Sequence, residues 1–504
     1  MKPLIRIGSV LALIALLAGL VPQVQAQSRD ATFDSAVFLL RQSMRVHQDG
    51  RQNVLLRSLR HLADPQMTPL LNELAQSDYP LFKIHGLLGL AECSNPKQID
   101  LVRLAAVEDP AVQAELVSAA LDSDLLTLDQ CQQLVDWPGL DVAVKVIVSG
   151  PLVKAGRLSK IEPLIEASKA ENLARRSLAS ALLLQMGQPQ GMDALEKLNT
   201  SDNPTRDQVR DLVLRSIVRY ELDKAAPWAM KMADDSEVRM QLRLMALSVA
   251  LRFNAPGSVN IWQQQFASTS DVAQRTRLAL MALRLAPWLA PSFYQPLIKD
   301  SDPMLSRIGH AGQAVASNKD IATQVTRLIE MHHPLANAWA LSYASKDAPV
   351  EDASAILMAL IHAYEQGPMR GREQRLDDAA SAAQILAERN LPAAVSQLGP
   401  VLANAQTPRP LMQALLLGLI RSNKPAAYEV IQDLPPQDDV NIHSLVTLLI
   451  ARSGEPLSQQ QLADLAINVR GGGLPQDSLR IQAAWLWLKA TGQVRAALDQ
   501  ALKP

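Results

Sequence analysis

The sequence predicts an all-α protein built from stacked antiparallel helix pairs, and three observations carry that expectation. Hydrophobic residues make up 48% of the 504-residue chain but aromatics only 4%, so the apolar content is mostly Ala, Leu, Val, Ile and Met, which suit helices and let them pack closely. The 31 prolines fall mostly between apolar-periodic segments, where many short helices need starts and stops. Segments resembling EDPAVQAELVSAAL, residues 108–121, return every 31 to 34 residues. A chain this long would ordinarily divide into about three domains; growth by repetition removes that need.

At the N-terminus, Lys2 and Arg6 precede an apolar run from Ile7 to Val21, and Val24-Gln25-Ala26 follows. A charged start, a short apolar stretch and small residues at the cleavage positions predict a signal peptide, residues 1–26, removed after Ala26. The alternative is an uncleaved anchor, but 15 apolar residues fall short of the roughly 20 that span a bilayer. No cysteine stands just after the run, so lipid attachment is not expected. Export to the periplasm or medium of a bacterium follows, with no stable membrane insertion afterwards. Losing Lys2 and Arg6 takes the formal charge from -1 to -3. A near-neutral chain has no basic face for nucleic acid.

The repeating unit is helix, tight turn, helix. Leu101, Leu104 and Ala105 fall at helical spacing, as do Val112, Leu116, Ala119 and Ala120. Between them Asp109 is suited to accept from the free N–H groups of a helix start, and Pro110 to the first turn, where no N–H is missed. Leu116, Ile147 and Leu178 repeat at 31 residues, as do Ser118, Ser149 and Ser180. SEVRMQLRLMAL at 236–247 and SDVAQRTRLALM at 270–281 are offset by 34, and Asp302-Pro303 and His333-Pro334 return to 31. At Asp235-Ser236-Glu237-Val238-Arg239, followed by Leu242, Leu244 and Ala246, the chain resembles the HEAT-like repeats of α-solenoids, across about residues 55–345. The resemblance implies that Asp helps cap the second helix, Val enters the core and Arg links neighbouring repeats. One such pair cannot bury its apolar stripe alone, so each copy supplies a face for the next.

The organisation read from this periodicity is a signal peptide over 1–26, regular HEAT-like repeats over 27–350, and less regular helical repeats with a capping helix over 351–504. In the last region helices are expected at 351–365, 377–389, 409–421, 441–452, 459–469 and 478–490. EQGPMRGREQR, residues 365–375, combines Gly, Pro and charge and reads as a long loop or boundary. GGGLPQD, residues 471–477, reads as a second break.

A catalytic constellation is missing from the sequence. HExxH, GxSxG, P-loop and paired-carboxylate motifs are absent, and no catalytic, cofactor-binding or metal residue is assigned. His332-His333 precede Pro334 and read as turn and helix-cap residues rather than metal ligands. Cys93 and Cys131, the only cysteines, either pair as a disulfide between neighbouring repeats, which an oxidising compartment permits, or remain separate, partly buried thiols. Trp288, Phe293 and Tyr294, set among prolines, are candidates for an aromatic ledge contacting a partner, with capping core as the alternative. Trp485 and Trp487 lie two apart on a helix, about 200° around it, so Trp487 is a further candidate contact; a helix clasped on both sides is the alternative.

The function these features imply is a non-enzymatic exported scaffold presenting a helical-repeat surface to a protein or peptide. The alternatives are an enzyme or catalytic accessory whose site is assembled from distant repeats, and a structural or regulatory protein of the cell envelope. A deep acidic or His-lined pocket would count against the scaffold.

Overall fold

The structure is a computed structural model that describes residues 31–503, apart from 47–49, 286–288, 423, 459–460, 463–464 and 466–473. The signal-peptide segment therefore lies outside the described residues, as does most of the helix expected at 459–469. Among the described residues every regular element is helical and no strand occurs, as the composition requires. No helix among them is long and apolar enough to cross a membrane. The chain forms two compact units. One contains residues up to Asn95 together with Gly399–Pro504; the other runs from Pro96 to Leu398. These boundaries are those of contact, not of the periodicity that set 27–350 apart from 351–504.

The first unit begins with α1 (31–43), α2 (Arg51–Arg60), α3 (Thr68–Gln76) and α4 (Pro80–Cys93). The second unit consists of helix pairs. They are α5 (Leu101–Ala105) and α6 (Pro110–Asp122), α7 (Leu128–Asp136) and α8 (Val142–Lys154), and α9 (Glu162–Ala167) and α10 (Leu173–Gln185). Next come α11 (Gln190–Asn199) and α12 (Arg206–Tyr220), α13 (Ala226–Asp234) and α14 (Met240–Arg252), and α15 (Ser258–Ser268) and α16 (Val272–Leu283). The series ends with α17 (Gln295–Ile298) and α18 (Pro303–Ser317), α19 (Ile321–Ile329) and α20 (Pro334–Lys346), and α21 (Val350–Gln366) and α22 (Arg372–Arg389). The first unit resumes with α23 (Arg409–Arg421), α24 (Val440–Ser453), α25 (Leu474–Ala490) and α26 (Val494–Ala501).

In the second unit each second helix from α6 to α16 packs on the second helix of the following pair, and α20 packs on α22. The first helices α11, α13 and α15 make a parallel row, as do α19 and α21. Polar ties span one repeat at the same step. Trp228 Nε1 donates to the Leu195 carbonyl at 2.8 Å, and Gln265 Nε2 to the Ala233 carbonyl at 3.0 Å. Arg239 Nε lies 3.1 Å from Asp207, and Arg175 lies 3.5 Å from Asp141.

Helix caps, more than apolar spacing, set the register. Asp109, Asp141, Asp271 and Asp302 each accept from backbone N–H groups of the second helix they precede, at 2.7 to 3.0 Å, and Asn172 does so at Arg175. Seven residues beyond the caps Asp109, Asp141, Asn172, Arg239, Asp271, Asp302 and His333, the chain is buried at Leu116, Val148, Ala179, Ala246, Leu278, Gly309 and Ala340. The equivalence of Leu116 with Ile147 and Leu178 is corrected by this register. Both lie one residue short of the equivalent site and are only half-buried, because the first step between caps is 32 rather than 31 residues.

The helices expected at 351–365, 377–389, 409–421, 441–452 and 478–490 are present as α21 to α25, most with longer ends. The long loop or boundary expected over 365–375 is not. Only Gly367–Gly371 separates α21 from α22, and those two helices pack on each other. Arg375, whose charge suggested solvent, is buried and donates to the carbonyls of Pro368 and Arg370, closing the turn from beneath. Gly371 supplies the left-handed residue, φ 79°, that enters α22. The break expected over 471–477 is also shortened. Helix α25 starts at Leu474, and Pro475 falls in its first turn, where proline is tolerated; 471–473 lie outside the described residues.

Candidate functional site

Among the described residues, those singled out in the sequence do not assemble into one site. Trp288 lies outside the described residues. Phe293 is half-buried, its ring 4.7 Å from Trp262 and 5.3 Å from Tyr294. Tyr294 is fully buried, with its hydroxyl donating to the Ala282 carbonyl at 2.9 Å. A ledge containing Tyr294 is thus corrected to core: the ring sits against Gly312, where a side chain would collide with it. Trp487, at 3% exposure, and Trp485 are both buried. The spacing argument placed them on different sides of α25 correctly, but that helix packs against α2, α24 and α26, so neither side faces water. Cys93 and Cys131 are not joined by a disulfide, which leaves the alternative of two separate thiols. Cys93 Sγ donates to the Asp64 carbonyl at 3.4 Å, and burial pushes the Cys131 thiol up to about 11.

At the motif that carried the repeat resemblance, Asp235 Oδ1 accepts from the Glu237 N–H at 2.9 Å, Val238 is buried and Arg239 reaches Asp207. Met240, immediately after it, is exposed, as are Val272 and Leu335. These three occupy the first turns of α14, α16 and α20, one residue past the cap at Met240 and Val272 and two past it at Leu335, as at half-buried Met304 on α18. Gln274 Nε2 lies 3.7 Å from Met240 Sδ, bridging neighbouring copies along this edge. The result is a row of apolar side chains at one-repeat intervals. Periodicity alone could not separate them from core residues, since each begins an apolar helix and only the packed geometry shows which end is uncovered.

A second feature lies where α19 turns into α20. His332 has φ 52°, a left-handed conformation uncommon for a residue with a side chain, and His333 is the N-cap of α20. These are turn and cap positions, as expected, yet neither ring performs a capping bond: Nδ1 of each is buried without a partner. Burial lowers both imidazole pKa values; at His332 the charge of Arg375 adds to this and Glu330 opposes it. Asn337, 2% exposed, donates through Nδ2 to Asp378 at 3.0 Å, and Gln374 donates to the same carboxylate at 3.1 Å, which ties α20 to α22.

Beside His332 is a cavity of about 290 Å³ between α19 and α21, lined among others by Thr326, Glu330, Met358, His362 and Gln366. Glu330, Ala355, His362 and Gln366 are exposed, so it is an open groove, not the deep chamber that would argue for an enzyme. Among the described residues no three His, Cys, Asp or Glu side chains are placed to hold a metal ion. A second cavity, also of about 290 Å³, lies beside Phe38 and Arg41 in the first unit; there Arg41 is already committed to the Gln500 carbonyl at 2.7 Å. No family model matches the chain, and no curated protein matches it either.

Proposed function

We propose that this chain is an exported, non-enzymatic α-solenoid of HEAT-like repeats that presents one edge of its second unit to a protein or peptide partner. The observation that carries the reading is the uncovered apolar row of Met240, Val272 and Leu335, recurring with the repeat. Exposed apolar groups recurring in the first turns of stacked helices suit recognition spread over several copies. The side-by-side packing of second helices from α6 to α18 and the Arg239–Asp207 tie support the repeat assignment. Lys2, Arg6 and the apolar run after them support export.

The test is affinity capture from an envelope extract by residues 27–504, set beside a variant carrying Met240→Glu, Val272→Glu and Leu335→Glu. A reproducible protein retained by the wild type and lost by the variant, at unchanged melting temperature, is expected. Equal retention by the variant would remove this edge from the proposal. A co-purifying metabolite or metal with no protein partner would favour an enzyme assembled from distant repeats.

A further inference from the structure

We infer that the uncovered sides of the second helices α14, α16 and α18 form a docking surface for an acidic peptide segment, held by Arg252, Arg277 and Arg307. This rests on the scaffold reading and names the chemistry of its partner. From Arg239 to Lys346 the chain carries eleven Arg or Lys and five Asp or Glu, an asymmetry that the near-neutral total conceals. Helices α14, α16, α18 and α20 contain no Asp or Glu. Three of the five carboxylates are already engaged: Asp271 and Asp302 cap α16 and α18, and Asp300 pairs with Arg275. The other two, Asp320 and Glu330, stand at the two ends of α19.

The bonds each cation makes separate structural arginines from available ones. Arg243 donates to the Ala233 carbonyl, and Arg275 holds Asp300 and lies over the Phe266 ring, so both serve the fold. Arg252 and Arg277 are exposed and Arg307 is half-buried. Among the described residues none of these three has a carboxylate partner; Arg252 lies only against Phe253, 5.9 Å from its ring centre. On α12 the exposed arginines are matched instead: Arg215 holds Asp211 at 2.7 Å and Arg219 holds Asp122 at 2.6 Å. Helix α14 packs on α16 and α16 on α18. With packed axes about 8–10 Å apart, three helices cover roughly 16–20 Å, the reach of about five or six extended residues. A guanidinium grips a carboxylate through two parallel hydrogen bonds. Leu244 and Met245 on α14 and Met281 on α16 are half-buried, adding apolar contact that a polypeptide can meet and a bare polyanion cannot. Nucleic acid would require stacking rings, and those of α20, Trp339 and Tyr343, are buried.

The experiment titrates residues 27–504 against a fluorescent peptide of three Glu-Leu-Glu-Ala repeats and against the same peptide with Gln for Glu. A labelled oligothymidylate of equal length and phosphatidylglycerol vesicles are the other probes. Saturable binding of the acidic peptide, weakening as salt is raised, and none of the Gln peptide is expected. Arg252→Gln, Arg277→Gln and Arg307→Gln together should weaken it by about ten-fold or more at unchanged melting temperature. Arg215→Gln, whose charge Asp211 already matches, should change it by less than about two-fold. No saturable binding, equal binding of the Gln peptide, undiminished binding by the triple variant, or tighter binding of the oligothymidylate or the vesicles would overturn the proposal. An envelope protein retained by the triple arginine variant but lost with Met240→Glu, Val272→Glu and Leu335→Glu would also overturn it and leave the scaffold reading standing. Peptide binding of the expected pattern with no protein captured from the extract would do the reverse.

Discussion

The two units bond differently. In the second, a side chain finds its partner about one repeat away: Trp228 with Leu195, Gln265 with Ala233, Arg239 with Asp207. The first has bonds of that range too, His85 with Asn53 and Arg60 with Glu92, but adds partners more than 400 residues apart. Arg51 pairs with Asp477 at 2.7 Å, Ser58 with Ser478 at 2.7 Å, and Asp64 with Trp485 at 3.2 Å and Lys489 at 2.8 Å. Exposure differs too. Asp477 and Asp64 are 1% and 5% exposed, whereas the Arg239 side chain is 81% exposed. Nearest-neighbour stacking lets each contact be weak, because many copies share the load. A seam between distant segments has no such redundancy, and its carboxylates, Asp64 and Asp477, have been taken out of water.

The comparison breaks most sharply at Asp477. Its carboxylate also takes Arg480 at 2.7 Å, and removing one member of a buried charge network costs about 3–5 kcal/mol. Asp477→Ala should lower the stability of the first unit by that order in urea unfolding; a loss below about 1 kcal/mol would mean that the seam does not depend on its charges.

Acid should separate the units next. His85 is buried, its Nε2 bonded to Asn53 at 2.9 Å and its Nδ1 to Arg60 at 3.1 Å. With Nε2 donating and Nδ1 accepting, a proton on Nδ1 would face a guanidinium. Burial, followed by the charges of Arg60 and Arg57, pushes His85 down to about 3 from 6.5. The folded state therefore holds the neutral ring. That contribution is complete above pH 6.5 and falls by about 1.4 kcal/mol per unit as pH drops toward 3. Asp64 adds a later loss. Burial alone would raise its pKa, but bonds from Lys489, the Gln66 N–H and Trp485 hold it below 3.8, so its contribution disappears only as pH falls through that lowered value. Unfolding midpoints of the first unit measured from pH 7 to 4 should decline, and His85→Gln should flatten most of the slope.

Within the second unit, close packing should matter more than its ion pairs. A Cβ on Gly150 would lie 2.5 Å from the Tyr220 ring, and overpacking of this kind costs about 1–3 kcal/mol. Thermal melting of Gly150→Ala should show that loss. Arg239→Ala should cost less than about 1 kcal/mol, as exposed pairs do; a larger loss would make the repeat-to-repeat charge ties structural after all.

Legibility in the sequence follows the range of the interaction. Cap chemistry is local, so Asp109-Pro110 and Asp302-Pro303 could be read directly as helix starts, and both are. Exposure is not local. Trp487 and Tyr294 are candidate contacts by sequence and are buried, while Met240, Val272 and Leu335, which no spacing singles out, are exposed. Nothing in residues 330–366 marks His332 as lining a groove, since the groove exists only once α19 and α21 lie side by side.

By itself the sequence determined the helical class, the pair as building unit and most helix starts, because composition, spacing and caps act within a few residues. Tertiary structure decided the register of the core, the pairing of α2 with α25, the burial of Arg375 beneath its turn and the uncovered edge of the second unit. Those depend on which surfaces meet, and burial is a property of the meeting rather than of either surface alone.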